Sequence, residues 1–207
     1  RFNPAHRSAT LREEWGIESG EQVALCVGRV AAEKNLVVAL KAVRQMRIEG
    51  RQIRPVIVGD GPMREALSEE FPEAVFTGVK TGQALSECFA SADLFLMPSQ
   101  TETFGLVTLE AMASGLPVVA YDMAAAREFV RTGVDGSLAS DDSEEAFIDA
   151  LRVALRFDAT LMGLDARSQA EQLSWDMVAR QFERRVEALL ASHCESRGMV
   201  HPLQTTS

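Results

Sequence analysis

Apolar runs and amphipathic stretches alternate along the first 140 residues of this 207-residue chain, and no other feature constrains the fold as much. Short apolar runs at 22–27, 54–58, 74–77, 93–97 and 117–121 read as strands, with a shorter one at 137–139. Runs of this kind, without polar alternation, are what a sheet buried on both faces requires. Between them lie segments with apolar residues at helical spacing. Leu36, Leu40, Val43 and Met46 mark one over 33–48; Leu85, Cys88 and Phe89 mark one after Thr81; Leu106, Leu109, Met112 and Ala113 mark one ended by Gly115. Strand, helix and strand in repetition imply parallel pairing, right-handed crossovers and helices on both faces. The fold class expected is α/β, a doubly wound parallel sheet of about six strands.

Local signals punctuate this plan. Ser8 suits an N-cap and Gly16 a stop around a short first helix; Pro62 suits the first position of a helix over 63–71. A helix is expected over 124–130. Past 140 the chain reads as helical only: from Ser143-Glu144-Glu145 to about 157, then 158–172, then 174–192 with Met177, Val178, Phe182, Val186 and Leu189 as its stripe. One domain over 1–194 is expected, with 195–207 a disordered tail. The opening at Arg1 has no domain-start character and reads as a cut within a longer chain.

In open parallel sheets ligands bind beyond the carboxyl ends of the strands. The polar and glycine signals fall there. Gly28-Arg29 follows the first strand, Gly59-Asp60-Gly61 the second, Gly78-Val79-Lys80 the third, Ser99 to Glu102 the fourth and Tyr121-Asp122 the fifth. Phe104, Gly105 and Leu106 would offer free backbone N–H groups at a helix start, where an anion is favoured. Glu102 precedes that start, and Glu110 follows it by about one and a half turns. Eight residues of helix cover roughly 12 Å, about the reach of a diphosphate carrying a polyol at each end. A carboxylate accepts from two adjacent hydroxyls at once. Arg29 and Lys34, five residues apart, would neutralise the diphosphate without a metal, the first as a planar fork and the second as a point charge. The simpler readings are a helix-dipole role for Glu102, a solvated position for Glu110, a turn role for Asp60 and a salt bridge for Glu33. The convergence on one rim favours ligand roles for Glu102 and Glu110.

Composition excludes other classes. The formal net charge of −9 argues against broad nucleic-acid contact. No apolar run approaches the ~18 residues of a membrane span, and no signal segment opens the chain. Cys26, Cys88 and Cys194 are widely spaced and read as reduced thiols of a cytoplasmic protein. His6, His193 and His201 make no metal-ligand spacing, so no metal site is expected.

The motifs Gly28-Arg29-x3-Glu33-Lys34, Val58-Gly59-Asp60-Gly61-Pro62, Asp93-Leu94-Phe95-Leu96-Met97-Pro98-Ser99 and Glu102-x-Phe104-Gly105-Leu106-x3-Glu110-Ala111-Met112-Ala113-Ser114-Gly115 carry a resemblance. The chain resembles the C-terminal, donor-binding domain of GT-B retaining glycosyltransferases of family 4 (group 1), which include sucrose synthases and bacterial mannosyltransferases. The resemblance implies a Rossmann-like half of a GT-B fold that binds a nucleoside-diphosphate sugar and no obligatory cofactor. It implies that Arg29 and Lys34 hold the diphosphate, Glu110 the ribose and Glu102 the donor sugar. Gly28, Gly59, Gly61, Thr103, Phe104, Gly105 and Leu106 would complete the donor site, with Val79 near the base. The donor would be a GDP- or UDP-hexose, GDP-mannose being the lead, and the sugar would move with retention. The acceptor, and any contact with the inner membrane face, would belong to an N-terminal half not present in this sequence. This half alone would bind donor and hardly turn over. A stand-alone nucleotide-sugar-binding regulatory module is the alternative. One departure stands out: Ala124-Ala125-Ala126 occupies a position where the family usually has a glycine pair and a proline.

Overall fold

The computed structural model of the protein describes residues 1–101 and 105–172. Among them one parallel sheet contains β1 (Gln22–Val27), β2 (Ile53–Val58), β3 (Val75–Phe76), β4 (Leu94–Met97), β5 (Val118–Tyr121) and β6 (Gly136–Ala139) in the order β3-β2-β1-β4-β5-β6. The chain winds from β1 outward to β3, then returns to lay β4 on the other side of β1. The winding therefore reverses between β1 and β4. This is the Rossmann-like, doubly wound arrangement that the alternation predicts.

The connections are α2 (Leu36–Ile48), α3 (Arg64–Glu70), α4 (Gly82–Ala90), α5 (Leu106–Ala113) and α6 (Ala124–Phe129), after an opening α1 (Ala9–Glu14). Two further helices, α7 (Glu144–Ala154) and α8 (Ala159–Glu171), follow β6. The two-residue period of the strands splits the core in two. Ala24 and Cys26 join Leu40, Val43, Met46, Phe147 and Leu151 under α2 and α7. Val23 and Leu25 join Phe89, Phe95, Met112 and Val118 under α4 and α5. Across the α2–α7 seam Lys41 Nζ meets Glu144 Oε2 at 2.8 Å, and Arg152 takes Glu49 with two nitrogens at 2.7 and 3.1 Å. The expected caps are in place: Ser8 Oγ accepts from Leu11 N at 3.1 Å, and Ser143 Oγ accepts from Ala146 N at 3.1 Å.

Four local readings are corrected. The helix expected from Glu33 is instead a 3-10 turn over Ala32–Lys34, a left-handed Asn35 (φ 51°), and then α2. Asn tolerates that conformation better than most residues, so the chain turns there without glycine. Pro62 is not the first helical residue, because Met63 is the N-cap of α3. β3 shrinks to two residues at the sheet edge. The apolar stripe of α5 also differs: Leu106 is 55 % exposed and Leu109 half-buried, while Thr108, Ala111 and Met112 form the buried face. Helix start and sheet position, not spacing alone, set that rotation. The helix expected over 174–192 and the tail 195–207 lie outside the described residues.

Candidate functional site at the carboxyl rim

The loops that leave β1, β2, β3 and β4 meet at one rim, and backbone hydrogen bonds join the first three. Gly28 N donates to Val58 O (3.0 Å), Val30 N to Asp60 O (2.9 Å), Met63 N to Val30 O (3.1 Å) and Gly59 N to Gly78 O (2.9 Å). The approach is so close that a Cβ at Gly61 would stand 2.3 Å from Val30 O. Packing of loop on loop therefore explains Gly59 and Gly61 as glycines. Asp60 is a turn residue, as its simpler reading held: Oδ1 accepts from Gly61 N at 2.7 Å, and Oδ2 meets Arg64 at 3.1 Å.

Where the winding reverses, a small recess of about 20 Å³ lies at the ends of β1 and β4, and it opens onto the rim. Gly28, Lys34, Met97, Pro98, Ser99 and Val107 are among its walls. The structure thus brings Gly28, Lys34 and the start of α5 together. The Lys34 stem lies over Gly28, with Cε 3.9 Å from where a Cβ would be. Arg29 stands on the exposed lip and pairs with Glu33, NH1 to Oε1, at 3.5 Å. Glu33 is then a salt-bridge residue, as expected. An exposed i, i+4 pair of this length holds Arg29 only weakly. Val79, 68 % exposed, sits on the loop after β3.

The start of α5 is open. Gly105 is its N-cap in the left-handed conformation (φ 75°), and no side chain of the described residues caps it. A Cβ there would meet Met97 Cε at 3.2 Å and Ala125 Cβ at 3.5 Å, so both conformation and space ask for glycine. Among the described residues, the N–H groups of Leu106 and Val107 reach no acceptor, which is the condition for anion binding at a helix start. Glu110 lies half-buried on α5, and its carboxylate accepts no hydrogen bond from the described residues. Burial raises its pKa above the ordinary value, against a smaller lowering by Arg1. A carboxylate kept partly dry, with no hydrogen-bond donor among the described residues, has acceptor capacity to spare. Glu102, Thr103 and Phe104 lie outside the described residues.

The loop after β4 is also tied down by residues that were not singled out as site residues. Ser99, only 4 % exposed, donates from Oγ to Glu33 O at 3.3 Å, and Thr101 Oγ1 reaches the same oxygen at 3.4 Å. Gln100 Nε2 donates to Asp142 O at 2.7 Å. These bonds lock the loop that leads toward Glu102 onto the segment that carries Lys34. The only sequence sign was a polar pair, Ser99-Gln100, set directly after an apolar strand.

Fold and rim together define a Rossmann-like, doubly wound α/β domain with its crevice at the switch point. A family model described as glycosyl transferases group 1 matches residues 21–156. The chain belongs to the group 1 glycosyl transferases. It is 38 % identical over 184 residues to the sulfoquinovosyl transferase SQD2 of Arabidopsis thaliana, covering 84 % of this chain and 35 % of that one. It is 35 % identical over 190 residues to a GDP-mannose-dependent alpha-mannosyltransferase of Mycolicibacterium smegmatis, covering 91 % and 49 %. Among solved structures, sucrose-phosphate synthase of Thermosynechococcus elongatus matches with a TM-score of 0.71 at 25 % identity, covering 92 % of this chain and 51 % of that one. The chain thus spans between about a third and a half of the length of these relatives. No helix among the described residues is long and apolar enough to cross a membrane.

Proposed function

We propose that this chain is the donor-binding half of a retaining family 4 glycosyltransferase and takes a nucleoside-diphosphate hexose at the crevice between β1 and β4. The observation that carries the reading is the meeting there of Lys34, Gly28 and the start of α5, which no side chain of the described residues caps. A diphosphate lies against the α5 amides from Phe104, Gly105 and Leu106, with Lys34 and Arg29 supplying the counter-charge. Glu110 accepts from the ribose hydroxyls, and Glu102 with Thr103 faces the donor sugar. Val79 flanks the base, Gly28 leaves room for the ligand, and Gly59 and Gly61 let the loops beneath it pack together. As the sugar leaves, charge grows on the diphosphate, and fixed donors and cations stabilise it without reorganising. No metal is required, because the cations and amides supply that charge stabilisation. The acceptor and the glycine-rich lid belong to an N-terminal half, and the whole enzyme works at the cytoplasmic side. The similarity to a protein named as GDP-mannose-dependent supports GDP-mannose as the first donor to test.

The test is calorimetric titration with GDP, UDP and ADP and with their matching sugar nucleotides, each with and without EDTA. One nucleoside diphosphate is expected to bind saturably, its sugar nucleotide more tightly, and chelation to change neither. Absence of binding by all of them, or binding only with added magnesium or manganese, overturns the proposal.

A further inference from the structure

The opposite rim, where strands begin, holds a second polar cleft that the donor reading leaves unused. It lies between the loop before β1 and the loop before β2, has a volume of about 170 Å³, and is lined by Glu18, Glu21, Arg47, Arg51, Gln52 and Arg54. Three guanidinium groups gather there in a chain whose net charge is −9.

Glu21 organises the cluster. It is 6 % exposed. Arg54 Nε donates to both of its oxygens at 3.2 Å, and Arg47 NH1 donates to Oε1 at 3.2 Å. Burial alone would raise this carboxyl. The Arg54 hydrogen bond, the Glu18 backbone N–H and Arg47 bring it below its ordinary value instead, so it stays ionised. One buried carboxylate therefore fixes two arginines and neutralises one charge.

Most of the remaining donors make no hydrogen bond with the described residues. Among the described residues, both terminal nitrogens of Arg54 are without an acceptor, as are Arg47 NH2 and the whole Arg51 side chain. The nearby Glu49 carboxylate is hydrogen-bonded to Arg152 and Gln45, and Arg51 acts on it only through its charge. The Glu18 carboxylate, which also lines the cleft and makes no hydrogen bond with the described residues, opposes an anion. Helix N-termini cannot serve here, because in a doubly wound sheet this rim receives the C-terminal ends of the helices, whose dipole disfavours anions. α2 ends here, with Arg47 in its last turn. Side-chain cations are the device by which this rim can hold negative charge, and the guanidinium fork matches the oxygens of a phosphoryl group.

We infer that this cleft is a second anion site, for a compact oxyanion such as inorganic phosphate or the phosphoryl group of a small metabolite, on the face away from the donor crevice. Its occupant bridges Arg51 to the Arg54–Arg47 pair, joining the loops that lead into β1 and β2. The phosphoryl group of a small molecule fits this chemistry.

The test is titration of inorganic phosphate into the protein in a low-salt, phosphate-free buffer, followed by chemical-shift changes of arginine side-chain N–H groups and by calorimetry. Arg51 is exposed and makes no hydrogen bond with the described residues, acting on Glu49 only through its charge, so Arg51→Ala is expected to keep the fold, which its far-UV circular dichroism checks. The wild type is expected to bind one phosphate saturably at this rim. Arg51→Ala is expected to weaken it about tenfold, the low end for a charge-assisted contact, and Glu18→Gln to strengthen it. The Arg29→Ala/Lys34→Ala double variant, which removes the donor-rim cations, should leave the Arg51-dependent binding as it is. This separates failure here from failure of the donor reading. Non-saturable binding, equal affinity in Arg51→Ala, or binding lost only in the Arg29/Lys34 double variant overturns the inference.

Discussion

Gly59 and Gly28 touch backbone to backbone: a Cβ on Gly59 would lie 1.8 Å from the Gly28 carbonyl oxygen. Neither atom can retreat, because Gly59 N is bonded to Gly78 O and Gly28 N to Val58 O. Gly59→Ala should therefore destabilise the domain by about 3 kcal/mol or more, as backbone clashes at special positions do. Urea unfolding of the variant checks this, and a midpoint equal to wild type would show that the rim is softer than it looks.

The two rim cations should separate by position. Lys34→Ala, inside the crevice, should weaken nucleoside-diphosphate binding by about 1.5–3 kcal/mol, the scale of a charge-assisted hydrogen bond. Arg29→Ala, on the exposed lip, should cost the lower end of that range, since solvent screens it. Calorimetry on both variants decides; wild-type affinity in both sinks the diphosphate assignment.

Glu110 predicts opposite effects on stability and on binding. Burial raises its pKa, so the charged form is disfavoured in the folded protein. Glu110→Gln should leave the ligand-free melting temperature unchanged or higher. It should nonetheless weaken a bare nucleoside diphosphate and its sugar nucleotide equally, by about 1–3 kcal/mol, because both carry the ribose. Glu102→Gln should affect only the increment contributed by the sugar. A Glu110→Gln protein that melts lower and binds normally would make this carboxylate a structural residue.

Ala124 adopts a left-handed conformation (φ 46°) that costs an alanine about 1 kcal/mol. Ala124→Gly should thus raise stability by up to about 0.5 kcal/mol, the relief of strain being partly offset by the entropy of the unfolded chain. Chemical denaturation measures it; a clear loss of stability would mean that the methyl group contributes packing that outweighs the strain.

Acid should loosen the α2–α7 seam. Arg152 first, then Gln45, hold the Glu49 carboxyl down at about 2, against an ordinary 4.5. Arg44 similarly holds Glu73 below its ordinary value, opposed by burial. Carboxyls lowered by folding contribute stability above their unfolded pKa and lose it as the folded pKa is approached. Stability should therefore fall as pH drops from about 4.5 toward about 2. Melting curves across that range should be flatter for Glu49→Gln than for wild type; identical slopes would remove Glu49 from the account.

Much of this was legible in the chain itself. The period of the apolar residues determined a parallel sheet and its layers, because a strand buried on both faces must be apolar throughout, as Leu94 to Met97 are. Gly105 and Gly115 were legible as punctuation, and Glu33 and Asp60 as local partners, because those roles depend only on neighbours in sequence. What tertiary structure alone decided was distance. That Gly59 abuts Gly28, that Ser99 ties its loop to the Glu33 carbonyl, and that Arg47 and Arg54 close on Glu21 all join residues tens of positions apart. The rotation of α5, burying Thr108 and exposing Leu106, belongs here too. A helix of eight residues in which most positions are apolar has no sequence-defined inner face, and the sheet beneath it chooses one.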